Sequence, residues 1–292
     1  MAKGDCHMKT EIISAELVEK FAGYLVSAER SAATTEKYCR DVSAFSLWLN
    51  GRLPDRKSVM EYKAVLLGKY RHTSVNSVIS SLNSFFGFCG RDDLKIRSVR
   101  IQKQIFSDSS RELTKAEYEK LLTAARERGN RRLCLLMQTV CALGIRVSEL
   151  KYVTVQATER MAAEVHGKGK LRTVLIPKGL CAELKKYAEN NGITKGAVFV
   201  TRRGKILDRS NIWADMKKLG AAAGIPATKV FPHNLRHLFA RTYYSMEKDI
   251  VRLADILGHS SVNTTRIYTM ESGDVHRHQI QRLGLFVDKS TT

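Results

Sequence analysis

Val230-Phe231-Pro232-His233-Asn234-Leu235-Arg236-His237-Leu238-Phe239-Ala240 and, further on, Leu257-Gly258-His259-Ser260-Ser261-Val262-Asn263-Thr264-Thr265-Arg266-Ile267-Tyr268-Thr269 form the stretch on which the chain turns. Pro232 stands just before an apolar-periodic run (Leu235, Leu238, Phe239) and reads as the opening of a helix. His233 and Arg236 are three apart, so a helix puts them on one face. The free N–H groups of a helix start favour an anion there. A second helix is predicted from about Asp249 to Leu257, with Ile250, Leu253, Ile256 and Leu257 buried and Gly258 as its stop. His259 follows that stop, and Tyr268 comes nine residues later. Imidazoles, a guanidinium and a phenol near a helix N-terminus suggest phosphate chemistry. Singly, each has a plainer reading: a solvated helix residue, or for Tyr268 a core aromatic with a wet hydroxyl.

At 292 residues two domains are expected, and 43% apolar content supplies cores for both. A net charge of +20, from 49 Lys+Arg against 29 Asp+Glu, points to a polyanionic partner, with nucleic acid first and an anionic membrane surface second. There is no run of about 18 or more apolar residues and no signal-peptide core at the N-terminus. Cys6, Cys39, Cys89, Cys134, Cys141 and Cys181 are dispersed without a C-x-x-C pair, which argues against a disulfide scaffold or metal ligation and for a cytoplasmic location. Met8 is a candidate initiator, with Met1–His7 a leader or cloning scar.

Residues 8–100 read as a helical domain. Periodic runs start at Ser14 (Leu17, Val18, Phe21, Leu25) and, capped by Thr34 or Thr35, at the next (Tyr38, Val42, Phe45, Trp48, Leu49). A weaker run spans Ser58–Tyr70, and a fourth spans Ser74–Phe88. Arg91–Arg111 carries Lys95, Arg97, Arg100 and Lys103 with little periodicity. It reads as a basic strap along DNA phosphates, the linker proper being 101–112.

Residues 113–292 read as a second domain, opened by the capping box Thr114–Glu117. The apolar run Leu133–Leu143 predicts a central buried helix, interrupted at Gly144 just before Arg146-Val147-Ser148-Glu149. Short strands are expected at Tyr152–Val155, Ala162–His166, Arg172–Ile176 and Val198–Val200. Gly167-Lys168-Gly169-Lys170 makes a glycine-rich hairpin between the middle two. Leu180–Glu189 and a segment capped by Ser210 are predicted helices. The tail after Gly273, with Val275, Ile280, Leu283, Leu285 and Phe286, reads as a short helix. The fold class is therefore mainly α with some β: a helical bundle, then a mixed α/β domain with a small antiparallel sheet.

The motifs G-I-R-V-S-E-L, G-K-G, H-N-L-R-H, L-G-H-S and the tyrosine of T-T-R-I-Y-T, in this order, resemble the tyrosine recombinases, the family of phage integrases and Xer proteins. The motifs cover roughly 113–270, and the first domain resembles that family's SAM-like core-binding domain. By matched position the resemblance implies Tyr268 as nucleophile and Arg146 and Arg236 as phosphate clamp. It implies Lys168 as the hairpin lysine that protonates the leaving 5′-oxygen, His233 as proton acceptor or relay, and His259 as a donor to a phosphate oxygen. Glu149 and His237 take supporting roles. Lys95, Arg97, Arg100, Lys103, Lys170, Arg202, Arg203 and Arg266 are expected to contact DNA. Tyr243 and Tyr244, on the same predicted helix as Arg236, are rival nucleophiles poorly placed for the phosphate it grips.

The implied reaction is cleavage and rejoining through a 3′-phosphotyrosyl bond, on double-stranded DNA with specific recombination sites, as a dimer per site and a tetramer in the synapse. Guanidinium forks suit the charge that develops on non-bridging phosphate oxygens, and two of them do what a divalent ion does elsewhere; no metal and no cofactor is expected. With few residues before the first helix, a compact two-domain, Xer-like enzyme is implied. Two alternatives share the motifs: a type IB topoisomerase-like relaxing enzyme, and a non-catalytic DNA-binding protein on a recombinase scaffold. The tail either packs on its own domain or docks on a neighbouring protomer.

Overall fold

The computed structural model describes residues 12–101, 109–167, 170–270, 273–283 and 285. The chain divides into two compact units, Met1–Lys103 and Gln104–Thr292. Lys103 and Lys168, both singled out above, lie outside the described residues, as does Cys6.

Unit 1 holds four helices: α1 (Ala15–Ser27), α2 (Ala32–Leu49), α3 (Arg56–Lys69) and α4 (His72–Phe88). Ser14 caps α1 as expected. The caps of α2 and α3 lie earlier than predicted, at Ser31 and Asp55, whose side chains accept from Thr34 N and Ser58 N while their own backbones stay extended. Leu17, Phe21, Leu25, Val42, Phe45, Leu49, Ile79, Leu82, Phe85 and Phe86 fill the core, with Phe21 edge-on to Phe85 at 5.3 Å.

The run after Gly90 is not a free strap over its first part. Leu94 and Ile96 are buried, and two asparagines of α4 hold the extended chain by its backbone. Asn83 accepts from Ile96 N (3.0 Å) and donates to Ile96 O (2.8 Å); Asn76 does the same to Val99 N (2.7 Å) and Val99 O (2.9 Å). Lys95, Arg97 and Arg100 remain exposed on this held segment, with Lys95 paired to Asp92.

Unit 2 runs α5 (Lys115–Glu127), α6 (Arg131–Leu143), a 3-10 turn (Val147–Tyr152), α7 (Val155–Arg160), β1 (Ala162–Gly167), β2 (Lys170–Leu175), α8 (Lys178–Asn190), α9 (Arg209–Ala222), α10 (Pro232–Glu247), α11 (Ile250–Leu257), α12 (Val262–Thr265), a 3-10 turn (Arg266–Tyr268) and α13 (Gly273–Arg282). The predicted capping box is present, Thr114 accepting from Glu117 N at 3.2 Å and Glu117 from Thr114 N at 2.9 Å. Leu136, Met137 and Val140 of α6 are fully buried. Burying each such side chain contributes about 2 kcal/mol, which makes α6 the axis of the unit. The helix α10 packs along it.

β1 and β2 form an antiparallel pair with Val165 opposite Arg172. The other two predicted strands do not form. At Tyr152–Val155 the side chain of Thr154 accepts from Ala157 N (3.0 Å) and starts α7, leaving a single bridge from Thr154 to Ala197. At Val198–Val200 the adjacent Val198 and Phe199 are both buried, which breaks the alternation a strand needs, and only the Val200–Ile206 bridge remains. α9 is capped by Asp208 rather than Ser210, since the Asp208 carboxylate accepts from Ser210 N (2.6 Å). Ile280 of α13 and Leu283 just after it are exposed. Among the described residues no helix is long and apolar enough to cross a membrane.

Candidate active site

The site grows from the end of α6. Gly144 takes the left-handed conformation (φ 59°) that turns the chain, and a Cβ there would fall 2.3 Å from the Phe239 ring. Ile145 anchors the turn in the core, and Arg146 follows with extended backbone. Glu149, almost wholly buried, then receives four hydrogen bonds. Arg146 N donates to Oε2 (2.8 Å) and Arg146 Nη1 to Oε1 (3.0 Å), while Arg172 of β2 adds Nη1 to Oε1 (3.1 Å) and Nη2 to Oε2 (2.8 Å). Burial alone would raise the Glu149 pKa, but the Arg172 hydrogen bond, the Arg146 amide, the Arg172 charge and the Arg146 side-chain hydrogen bond outweigh it, and the carboxyl lies below its ordinary range. Arg146 keeps a third of its side chain exposed (35%).

α10 begins with Pro232, which carries no N–H, and has no side-chain cap; Asn234 N donates to Phe231 O (3.0 Å). His233 sits at this end, exposed on one side, its ring edge-on to His237 at 4.7 Å. Its pKa is lowered by burial first, then by the charges of Arg236 and Arg146. One turn on, Arg236 is fully buried. Nη1 donates to Gly144 O (2.7 Å), and Nη2 donates to Leu257 O (2.8 Å) and to His259 Nε2 (2.9 Å). Burial and the nearby Arg146 lower this guanidinium to about 10, so it stays charged at neutral pH; the Tyr268 phenol beside it acts the other way.

Gly258 (φ 66°) closes α11, and His259 caps it by its N–H to Ala254 O (2.9 Å). His259 Nδ1 meets Thr265 Oγ1 at 2.8 Å, and Thr265 is fully buried. Burial, then Arg236, Arg146, Arg172 and His233, push the His259 imidazole down to about 4. Tyr268 ends the chain's approach: 4% exposed, it packs with Ala240, Leu253 and Leu257. The His259 ring lies nearly parallel to it at 6.1 Å, and the His237 ring stands edge-on at 4.9 Å. His237 is held down to about 3, chiefly by burial and then by His233, Arg241 and Arg236. These imidazoles are therefore neutral at pH 7.

Arg146 and His233 also line a cavity of about 530 Å3 with Ser148, Arg209, Trp213 and Phe231. Tyr243 lies instead on a separate, apolar cavity with Tyr118, Cys141, Leu238, Phe239 and Met246. Arg202, Arg203 and Arg266 are exposed and outside the cluster, and Lys170 opens β2. No group of three His, Cys, Asp or Glu side chains suited to a metal ion occurs among the described residues.

Two members of the site were not singled out in the sequence. Arg172 could have been found: alternation along β2 puts it on the inward face with buried Val174, where an unpaired charge is costly, so a buried carboxylate partner was implied. Thr265 carries no such signal.

The cluster brings two arginines, three imidazoles and a phenol together from separate segments of unit 2. Residues 111–273 match the model described as "Phage integrase family", and residues 18–92 match "Phage integrase, N-terminal SAM-like domain". The chain belongs to the phage integrase family. It is similar to "Tyrosine recombinase XerA" of Pyrococcus furiosus, 30% identical over 95% of this chain and 97% of that protein. It is also similar to "Tyrosine recombinase XerD" of Pseudomonas aeruginosa, 29% identical over 81% of this chain and 86% of that protein. Its fold matches a lambda integrase (75–356) solved as a dimer bound to a COC′ core site, with a TM-score of 0.70 over 89% of this chain and 96% of that one at 19% identity.

Proposed function

We propose that this tyrosine recombinase cuts and rejoins double-stranded DNA at specific sites through Tyr268. The observation that carries the reading is the convergence of Arg146, Arg236, His259 and Tyr268, from four separate segments, around one buried guanidinium. A DNA phosphate at this site meets the Nε and Nη2 of Arg146, which carry no protein partner among the described residues, and the Nε of Arg236, the one nitrogen of that buried guanidinium not spent on Gly144 O, Leu257 O and His259. Donors fixed in this way contribute on the order of 3 kcal/mol each.

Tyr268 Oη forms a bond to phosphorus as the P–O5′ bond breaks. The phenolic proton leaves to a neutral imidazole, and the 5′-oxygen gains a proton, a role proposed for Lys168. His237 touches the Tyr268 ring and His233 touches His237, so a relay through the two to the surface fits the geometry. One phosphodiester replaces another, and a second strand's 5′-hydroxyl reverses the step, releasing the phenol; no cofactor enters the balance. His259 serves the phosphate, and Glu149 holds Arg146. Lys95, Arg97, Arg100, Lys103, Lys170, Arg202, Arg203 and Arg266 contact the DNA backbone, which suits the +20 net charge.

The domains proposed are a core-binding unit (8–100), a linker (101–112) and a catalytic unit (113–292). A lambda integrase solved as a dimer on a core site supports a dimer per site, and one solved as a tetramer bound to a Holliday junction supports a tetramer in the synapse. The described cysteines are free thiols, which fits work in a reducing cytoplasm.

The test is to select bound duplexes from a randomised pool, nick them, and look for a protein–DNA adduct that survives SDS. An adduct lost in Tyr268→Phe supports the reading. An adduct retained in that variant moves the nucleophile elsewhere. No adduct on any selected duplex leaves a protein that only binds DNA. Plasmid relaxation without exchange between two sites identifies a relaxing enzyme.

A further inference from the structure

Arg172 takes both oxygens of the Glu149 carboxylate as a fork, and that carboxylate is also the partner of Arg146. Its side chain is mostly buried (14% exposed), each of its Nη atoms is engaged by Glu149, and its Nε is buried without a hydrogen-bond partner. Its stem lies across the backbone of Gly258, where a Cβ would come within 2.7 Å of Arg172 Cδ. A single side chain from β2 therefore touches the carboxylate that holds Arg146 and the residue that precedes His259.

The geometry has a chemical consequence. A carboxylate facing one arginine alone draws it into a bidentate pair. With Arg172 occupying one edge of Glu149, Arg146 makes a single Nη1 contact and keeps Nε and Nη2 without protein partners among the described residues. Those two donors, on a side chain one-third exposed, are the ones able to take a phosphate oxygen.

We propose that Arg172 is a positioning residue for strand transfer, saturating Glu149 so that Arg146 faces the DNA phosphate, and bracing Gly258 so that His259 stays on Arg236. This rests on the reading of Arg146 and His259 as phosphate-facing groups. Removing Arg172 lets Glu149 capture the free edge of Arg146. Lysine at this position keeps the charge but covers one oxygen only.

The experiment uses the full chain and the nicked duplex whose covalent capture depends on Tyr268. Single-turnover cleavage is measured beside non-covalent affinity for the same duplex. Arg172→Ala is expected to cleave at least about 30-fold more slowly and Arg172→Lys about tenfold more slowly, both binding DNA within about twofold of the parent. Arg172→Ala combined with Glu149→Gln is expected to cleave faster than Arg172→Ala alone, because a neutral amide no longer captures Arg146. A residue needed only for folding would not give that recovery.

Three results overturn the proposal: parental cleavage in Arg172→Lys and Arg172→Ala, affinity losses that match the rate losses, or no recovery in the double variant. If Arg172→Ala does not fold, Arg172→Lys decides alone, its parental rate overturning the idea and its slow rate with intact affinity upholding it. Arg146→Ala is run alongside. Parental cleavage by that variant sinks the assignment of Arg146 itself, a failure separate from that of Arg172.

Discussion

Nη2 of Arg236 stands 2.9 Å from Nε2 of His259, and because an arginine only donates, that ring nitrogen must be the acceptor. The imidazole proton of neutral His259 therefore sits on Nδ1 and points at Thr265 Oγ1, 2.8 Å away. Thr265→Val is expected to strand this proton in a buried place, costing about 1–3 kcal/mol in denaturant unfolding and slowing single-turnover cleavage about tenfold, while Thr265→Ser stays near the parent. Nitrogen NMR of the His259 ring checks the tautomer directly. A signal from an Nε2-bound proton in the free protein contradicts the assignment.

The chain is expected to lose stability as the pH falls from about 6.5. His237 and His259 are depressed to about 3 and about 4 in the fold, so between an unfolded value near 6.5 and those values the unfolded chain binds more protons. The stabilisation is complete above the unfolded value and is lost downward, up to about 2 kcal/mol for His237 by pH 5. Glu149, also depressed, adds its own loss only below the ordinary carboxylate range, so melting between pH 6.5 and 5 isolates the histidines. His237→Gln should flatten that part of the curve; an unchanged slope rules His237 out as the source.

Arg236→Lys is expected to be severe in two ways. Lysine cannot reach the Gly144 and Leu257 carbonyls and His259 together, so about 2–4 kcal/mol of unfolding free energy is lost. Covalent capture of nicked DNA should fall more than about 100-fold. A variant that folds normally and retains a tenth of the parental rate would show that charge alone suffices.

Gly144→Ala should destabilise the protein by about 2–4 kcal/mol, combining a left-handed backbone with a methyl group driven into the Phe239 ring. The readout is the urea midpoint at constant m-value. A shift under 1 kcal/mol would mean that Phe239 yields.

Much of this architecture was legible because local chemistry and tertiary need agree. Pro232 opens α10 and Gly258 closes α11 as their backbone preferences require, so His233, Arg236 and His259 could be placed on helix ends before any coordinates. Agreement fails where the tertiary structure overrides local preference. Val153 and Val198 look like strand residues, but each is spent on burial in the core, and Thr154 turns its segment into a helix. Ser31, Asp55 and Asp208 cap a few residues ahead of the predicted starts, because periodicity locates a helix better than its first turn. Arg172 and Thr265 act through partners 23 and 6 residues away, Glu149 and His259, and periodicity does not register such pairings. His237, given a minor part from the sequence, is the imidazole set edge-on to Tyr268, a matter of helix rotation that spacing alone does not resolve.

Asn76 and Asn83 of α4, each clasping one residue of the chain that leaves unit 1, amount to a gauge. Seven residues of helix advance about 10.5 Å, and the three steps from Ile96 to Val99 in extended form advance about 10 Å. The two rulers match, so both asparagines close on the backbone at once. One residue inserted or removed between Ile96 and Val99 puts the rulers out of step and forfeits a clasp. The spacing of the exposed cations Lys95, Arg97 and Arg100 is thereby metered by the pitch of a helix they do not belong to.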